Sequence, residues 1–392
     1  MHTTMVGVSA VATVLMAEVA GDWWGGAPNT AGVLGTAAGT LVMSTVMTRR
    51  GRRSGLSLGY AAAVFGSIIG LAAVVTNAVL LLVPAMVLLG VGNGAGQLSR
   101  YAAADLYPPG RRAIALSAVV WAGTIGAVVG PALISPAAEL ALTFGFPAFS
   151  GVFLIGLVMT LAASLSMAGA PNTKPETDAG TEHGPAAASR ARLLRQPRAK
   201  VALASMVTGQ ITMVAIMTMI PLHIHQHGRG LGAVGLVLSA HALGMFALSP
   251  LTGWMTDRFG SSKTIVLGLA VLVGAAMLTI VMPDVDGLAL PISMFLLGYG
   301  WNLTHVGGSA LLTHGLIPAE QTRLQGAVDS SVWAVSALAT LGSGVLFAIG
   351  GLSLLGVAGG ALVIYPAVVL IVRRADLRTI PVGYVPCVES GR

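Results

Sequence analysis

Charged side chains are scarce in this sequence of 392 residues, of which 9% are Asp, Glu, Lys or Arg and 55% are hydrophobic. A soluble domain usually carries about 25% charged residues. Because this chain cannot cover itself with polar surface, we predict a protein embedded in a lipid bilayer. The hydrophobic runs are long and do not alternate with polar residues, which argues against a β-barrel.

Several kinds of chemistry lack the residues that they need. The single cysteine, Cys387, excludes a disulfide framework and a CxxC site. The chain has no GxxxxGK[ST] phosphate loop, no zinc-protease pattern and no serine-nucleophile pattern. We therefore expect no enzyme activity, no cofactor and no direct use of ATP.

The chain carries a net charge of +7, and its basic residues are concentrated in a few parts of the sequence. They cluster in short polar segments: Arg49, Arg50, Arg52 and Arg53; Arg111 and Arg112; residues 190–200; Arg258 and Lys263; Arg373, Arg374 and Arg378. This spacing is typical of the positive-inside bias of membrane proteins and does not indicate nucleic-acid binding. We predict a multi-pass protein of the plasma (inner) membrane with both termini in the cytoplasm.

Twelve apolar segments have about the 20 residues that a membrane-spanning helix needs. They cover residues 2–20, 29–47, 55–76, 78–99, 114–134, 148–168, 200–222, 231–251, 264–282, 288–312, 328–350 and 352–372. The sequence therefore predicts an all-α membrane protein with twelve transmembrane helices.

The chain divides into two similar halves. "TRRGRR" (48–53) precedes "DRFGSSK" (257–263) by 209 residues, and each follows the second span of its half. We predict bundles of six helices at 1–168 and 200–373, a flexible cytoplasmic linker at 169–199 and a cytoplasmic tail at 374–392. Such a duplication is typical of transporters that bind a small solute between two lobes.

The stretch "GWMTDRFGSSK" (253–263) resembles the loop signature of the major facilitator superfamily. The resemblance implies two pseudo-symmetric six-helix bundles, alternating access and a gating role for Gly253, Asp257, Arg258 and Gly260. We expect Gly253 to let two helices approach closely, Asp257 and Arg258 to interact with helix ends, and Gly260 to turn the chain.

The first-half copy of this signature is degraded, with Ser44 and Thr48 in place of the glycine and the aspartate. Arg49 remains, and we expect it to pair with Asp105 at the inner end of the fourth span. In an alternative interpretation, these charges only mark topology and lie in solvated loops.

Two motifs with a four-residue spacing lie within spans seven and eight: Met213 and Met217, then His241 and Met245. Residues i and i+4 share a helix face, and the short link between the spans puts Met213 and His241 at one depth. Thioethers and imidazole suit Cu(I), and thioethers carry no charge that would be costly within a membrane. Alternatively, the methionines fill gaps between helices and His241 is structural.

The same two motifs resemble those of the CcoA-type copper importers, a branch of the major facilitator superfamily. The resemblance implies copper uptake through Met213, Met217, His241 and Met245. Relatives of that branch carry other cargo, including riboflavin-type compounds. The histidines of "HIHQH" (223–227) either collect a metal at the outer mouth or form an ordinary polar link. "GYGWNLTHVGGS" (298–309) places Trp301, Asn302 and His305 on span ten, and we assign no ligand role there.

The rival hypothesis is proton-coupled efflux of drugs or small organic metabolites. It requires an intramembrane carboxylate and an aromatic pocket. Aromatic residues make up only 5% of the chain, and Glu18, Asp105 and Asp329 all lie near span ends, Glu18 being the best candidate proton carrier. We expect the partners to be a transported small solute and the lipid bilayer, and the protein to be a monomer.

Overall fold

The computed structural model describes residues 1–104, 112–167, 169–172, 196–282, 287–313 and 318–372. All regular elements in these ranges are helices. Most of the predicted linker, the whole predicted tail and Asp105 lie outside the described residues.

Apart from two short 3₁₀ helices, the described residues of the first half form seven α-helices. They are α1 (His2–Ala20), α2 (Ala27–Arg50), α3 (Arg52–Val75), α4 (Leu82–Ala104), α5 (Arg112–Ala132), α6 (Ile134–Thr143) and α7 (Ser150–Ser166). Six of them match the predicted spans. Helix α6 was not predicted, and it continues the fifth span after a bend of 53°. The bend follows Pro131, which has no N–H for the helical hydrogen bond.

The part of the second half that the structure describes also forms seven α-helices. They are α8 (Pro197–Gln226), α9 (Leu231–Phe246), α10 (Ser249–Phe259), α11 (Ser261–Val281), α12 (Ala289–Thr313), α13 (Pro318–Leu362) and α14 (Ile364–Val372). Helix α13 contains non-helical backbone at Gly350 and Gly351, which separates the two predicted spans there. In the described residues, each of the twelve predicted spans is thus mostly helical, and eight helices, or nine spans with the bent pair counted as one, are long and apolar enough to cross a membrane.

Two details of the second half differ from the sequence prediction. The outward link predicted around residues 223–230 is shorter, because α8 continues through His223 and His225 to Gln226. Span eight consists of two helices, α9 and α10, because Pro250 interrupts the hydrogen bonds of a continuous helix.

Glycine faces hold neighbouring helices together within each half. A Cβ atom at Gly90 of α4 would overlap the carbonyl oxygen of Gly32 in α2, and one at Gly35 would overlap that of Val87. In the second half, a Cβ atom at Gly244 of α9 would overlap the carbonyl oxygen of Phe295 in α12. Such close approach is how helices gain contact energy in lipid, where apolar burial adds little.

The bundle has two distinct ends. We call the end that carries residues 21–26, 227–230 and 350–351 the short-link end. The opposite end carries the turns at Gly51 and Gly260, where both glycines adopt positive φ angles, 96° and 90°. Because Arg49, Arg50, Arg258 and Lys263 flank these turns, we call it the basic end.

Candidate functional site

Helix α12 forms the floor of a groove in the second half. Helices α8 and α9 both pack extensively on α12 and only weakly on each other. Trp301 of α12 contacts Gln210 of α8 on one side and Phe246 of α9 on the other. We use the name central groove for the α12 face between α8 and α9, which includes Met294, Gly298, Trp301 and His305. Met294 and Gly298 are buried where α9 packs on this face, and Trp301 and His305 are partly exposed.

Trp301 lies in the central groove within a network of uncharged polar groups. Its indole N–H donates to Oε1 of Gln210 at 2.7 Å, and Nε2 of Gln210 donates to Oγ of Ser336 at 2.8 Å. The indole also stacks on the imidazole of His305, with ring centroids 4.8 Å apart and planes inclined by 17°. These contacts fix the orientation of the indole ring near the midpoints of α8, α12 and α13. Sequence reasoning missed Gln210, because nothing in the sequence indicates which helix Trp301 contacts.

His241 is buried between α9 and α12, with 2% of its surface exposed. Its Nδ1–H donates to the carbonyl oxygen of Met294 at 3.0 Å. Among the described residues, none lies within hydrogen-bonding distance of Nε2. A protonated ring would bury a second N–H without an acceptor, which is costly, so we describe the imidazole as neutral with a free lone pair on Nε2.

Of the other three predicted ligands, Met245 contacts α12, and helical spacing puts Met213 and Met217 on the side of α8 that faces α12. Met245 lies one turn after His241, and its Cγ packs beside Gly298 of α12. On α8, Met206 packs against Gly308 and Gln210 bonds to Trp301, so both residues mark the side that faces α12. Met213 and Met217 lie seven residues after these two and therefore on the same side. Met213 is buried and Met217 half-buried.

The second-half signature at the basic end has fewer contacts than expected. Gly260 caps α10 with its positive φ angle and turns the chain. A Cβ atom at Gly253 would have no described atom within 4 Å, so the expected close approach of two helices is not found there. Asp257 is exposed, and the guanidinium of Arg258 lies 5.7 Å from the ring centroid of Trp254.

The first-half copy is held by a residue from another part of the chain. Nδ2 of Asn172 donates to the carbonyl oxygen of Arg50 at 3.0 Å, next to the turn at Gly51. Arg49 is exposed, and its expected partner Asp105 lies outside the described residues.

The alternating histidines near the end of α8 diverge. The rings of His223 and His227 lie 4.2 Å apart, whereas Nε2 of His225 contacts Oε1 of Glu18 at 2.7 Å. No three His, Cys, Asp or Glu side chains in the described ranges come close enough together to hold a metal ion. A helical repeat explains the divergence, because residues two apart point to different sides.

The two halves meet at the short-link end. Besides the contact between His225 and Glu18, Nε2 of Gln226 donates to both carboxylate oxygens of Asp22 at 3.1 Å. Further along, the hydroxyl groups of Thr30 and Thr340 lie 2.8 Å apart. A Cβ atom at Gly26 would overlap the carbonyl oxygen of Thr340. The structure is therefore closed between the halves at this end.

Comparison with known proteins identifies the family. The sequence profile of the Major Facilitator Superfamily matches residues 6–340 and 216–384. The chain belongs to the major facilitator superfamily. Its members are transporters, so this chain is a multi-pass membrane protein that acts as a secondary transporter of a small solute.

Two bacterial relatives from this superfamily cover most of the chain. An MFS-type transporter of Bacillus subtilis (strain 168), YdeG, which is described as uncharacterized, is 31% identical over 373 residues, or 93% of this chain and 87% of YdeG. The riboflavin transporter RfnT of Brucella anthropi is 30% identical over 315 residues, or 80% of this chain and 77% of RfnT.

Solved superfamily structures share the fold at low sequence identity. A D-xylose-proton symporter has a TM-score of 0.69 with 14% identity, covering 93% of this chain and 94% of the symporter. A bacterial homolog of the human lysosomal transporter Spinster, in an inward-facing and unoccupied conformation, has a TM-score of 0.63 with 13% identity, covering 95% and 93% of the two chains.

The closure at the short-link end yields a prediction. Gly26→Ala would place a methyl group against the carbonyl of Thr340, so we expect the two halves to separate there. Spin labels at Leu80→Cys and Leu288→Cys, both exposed at this end of different halves, would report longer distances in pulsed electron resonance. Cys387→Ser removes the only native cysteine from the background.

Gly230→Ala is the matched control, since a Cβ atom there would have no described atom within 4 Å. If both substitutions give the distance distribution of the parent protein, Gly26 does not maintain the closure.

Proposed function

We propose that this superfamily member moves its cargo along the central groove by alternating access of the two halves. The positive-inside bias places the basic end in the cytoplasm, so closure at the short-link end corresponds to an inward-facing state. The inter-half contacts of Glu18, Asp22 and Thr30 support this assignment. With it we propose an inner-membrane location, cytoplasmic termini, a monomer and the domain division at 169–199.

We further propose that the cargo is copper, taken up as Cu(I). The observation that carries this proposal is the lone pair on Nε2 of His241, which is buried and without a partner among the described residues. The Met294 carbonyl orients the ring through the other nitrogen, as is usual for a metal-binding histidine. An unpaired acceptor in a dry interior is costly unless a ligand satisfies it.

The thioethers that border the groove suit the same cargo. Met245 lies next to His241 on α9, and Met213 and Met217 lie on the α12-facing side of α8. Neutral sulfur and imidazole donors select soft Cu(I) over hard cations such as Mg²⁺. Because these donor groups are uncharged, they bind the ion less tightly than carboxylates or thiolates would, which favours its release into the cytoplasm.

This proposal predicts the effect of substituting single ligands. Met217→Leu and His241→Ala should each reduce radioactive copper uptake by cells at least about tenfold, because each removes one donor. Leucine keeps nearly the volume of methionine, so packing changes little. Cellular copper content gives a second readout in the same strains.

Met219→Leu is the matched control, since Met219 is fully buried on the same helix and two residues from Met217. It should retain the uptake of the parent protein. Uptake that persists in both ligand variants at equal expression would contradict the copper proposal.

A planar organic compound is the second candidate cargo. Trp301, His305 and Phe246 provide aromatic surfaces in the central groove, and Gln210 provides an amide beside them. The relative RfnT is named a riboflavin transporter, which favours a planar heterocycle of that kind. Proton coupling has less support, because Glu18 pairs with His225 at the short-link end and not in the groove.

The second candidate predicts a different dependence on substitution. If the cargo stacks on the indole, Trp301→Leu should reduce riboflavin transport roughly tenfold, as expected for the loss of one stacking contact. Trp121→Leu, which changes an exposed tryptophan of α5 in the first half, should have no effect. Absence of riboflavin transport by the parent protein would exclude this cargo.

A further inference from the structure

Span eight is interrupted immediately after the predicted ligands. Helix α9 ends at Phe246, and α10 begins at Ser249. Pro250 has no N–H to donate to the carbonyl of Phe246, and its ring disfavours helical backbone at the preceding residue. Leu231–Phe259 still forms one span of 29 residues, and Ala247 keeps helical backbone angles. Ala247 and Leu248 are therefore a local joint between a segment that carries His241 and Met245 and a segment that carries Asp257 and Arg258.

Asn302 of α12 bridges this joint. Its Nδ2 donates to the carbonyl oxygen of Met245 at 2.8 Å and to Oγ of Ser249 at 2.8 Å, so one amide group contacts both sides of the break. The side chain is buried, with 3% of its surface exposed. Its Oδ1 has no partner among the described residues.

The two segments of span eight are held to α12 in different ways. Helix α9 is fixed by backbone contact, since Gly298 of α12 lies against the carbonyl of His241 and Gly244 of α9 lies against that of Phe295. Helix α10 has much less contact with α12, and Gly253 has open space beside it. The Asn302 amide is thus the shortest polar connection between the rigid part of the groove and the looser segment. Two longer ones accompany it, from the Tyr299 hydroxyl to Sδ of Met255 at 4.0 Å and from Oγ of Ser249 to the Met245 carbonyl at 3.5 Å.

We propose that Asn302 is a positioning residue that couples cargo at His241 and Met245 to movement of α10. When cargo draws the Met245 thioether into the groove, the carbonyl of the same residue shifts against Nδ2 of Asn302. Because that nitrogen also binds Ser249, the shift reaches the first turn of α10. Helix α10 ends in the Asp257–Arg258 pair, so the basic end responds to the cargo.

A purely structural role of Asn302 would give different results when the residue is substituted. An amide that only satisfies the Met245 carbonyl would, when removed, weaken folding and cargo binding together. A coupling residue can lose its function while binding persists, since the donor atoms of the groove stay in place. The unpaired Oδ1 agrees with coupling, because a static bridge would leave a buried acceptor unsatisfied in its only state.

The experiment compares Asn302→Ala, Ser249→Ala and the double variant in the full-length protein reconstituted into liposomes, with Cu(I) as the probe. It rests on the proposed copper function. We expect Cu(I) affinity within about threefold of the parent protein and an uptake rate about tenfold lower in each variant. The double variant should be no slower than either single variant, because both substitutions break one connection.

Ser293→Ala is the matched control. Its hydroxyl is buried on the same helix and donates to the carbonyl of Ala275 in α11, away from the joint. It should keep both affinity and uptake rate. A parallel fall of affinity and rate in Asn302→Ala, or an unchanged rate, would overturn the coupling proposal.

A measurement without cargo separates this inference from the proposed function. Spin labels at Trp254→Cys of α10 and Ile292→Cys of α12, again with Cys387→Ser, report the position of α10. We expect Asn302→Ala to broaden their distance distribution, and an unchanged distribution would overturn the inference. Failure of the parent protein to bind Cu(I) would instead overturn the copper function. The distance distribution of Asn302→Ala would then still test whether Asn302 positions α10.

Discussion

Contact between glycine faces and neighbouring backbones is the constraint on which the second half depends. Because lipid is as apolar as leucine, helices in a bilayer associate through close packing rather than through burial. On α12, Gly298 and Gly308 bring in α9 and α8 from two sides. The α12 face lies between these two helices because both pack mainly on α12 and only weakly on each other. Every proposed role of Trp301, His241 and Met245 follows from that arrangement.

The scarcity of charge shapes the chemistry of the groove. Four acidic residues have described side chains. Glu18, Asp22 and Asp257 lie near helix ends, and the exposed Glu139 lies within the short helix α6. The groove instead has thioethers, imidazoles, an indole and an amide. These neutral groups cost less to bury than ions, and they bind either a soft monovalent metal or a planar ring.

Much of the fold could be predicted, because the thickness of the bilayer fixes the length of a membrane-spanning helix and long apolar runs in the sequence reveal where such helices lie. The first span, 2–20, agrees with α1 to the residue. The bend into α6 and the joint before α10 were not predicted. A proline in the sequence indicates that a helical hydrogen bond is missing, but it does not determine whether the helix bends, breaks or continues straight. Of the site, the sequence located His241 and Met245 on one helix face. It could not reveal the Met294 carbonyl, Gln210 or Asn302, because these contacts depend on how three helices pack.

The charged contacts between the two halves could not be predicted from the sequence either. Glu18 was noted as a carboxylate near a span end, and "HIHQH" as a cluster of possible ligands. Only the packing of α1 against α8 shows that His225 faces Glu18 while His223 and His227 face elsewhere. The degraded first-half signature likewise gains Asn172 as a partner from a segment far along the chain.

The proposed copper function depends on sulfur and imidazole donors placed together along α12. X-ray absorption spectroscopy of the purified protein loaded with Cu(I) tests this most directly, because it distinguishes sulfur from nitrogen neighbours of the metal. We predict a site with thioether sulfur and one imidazole nitrogen, and loss of the nitrogen contribution in His241→Ala. A spectrum without sulfur, or one that His241→Ala leaves unchanged, would contradict the account.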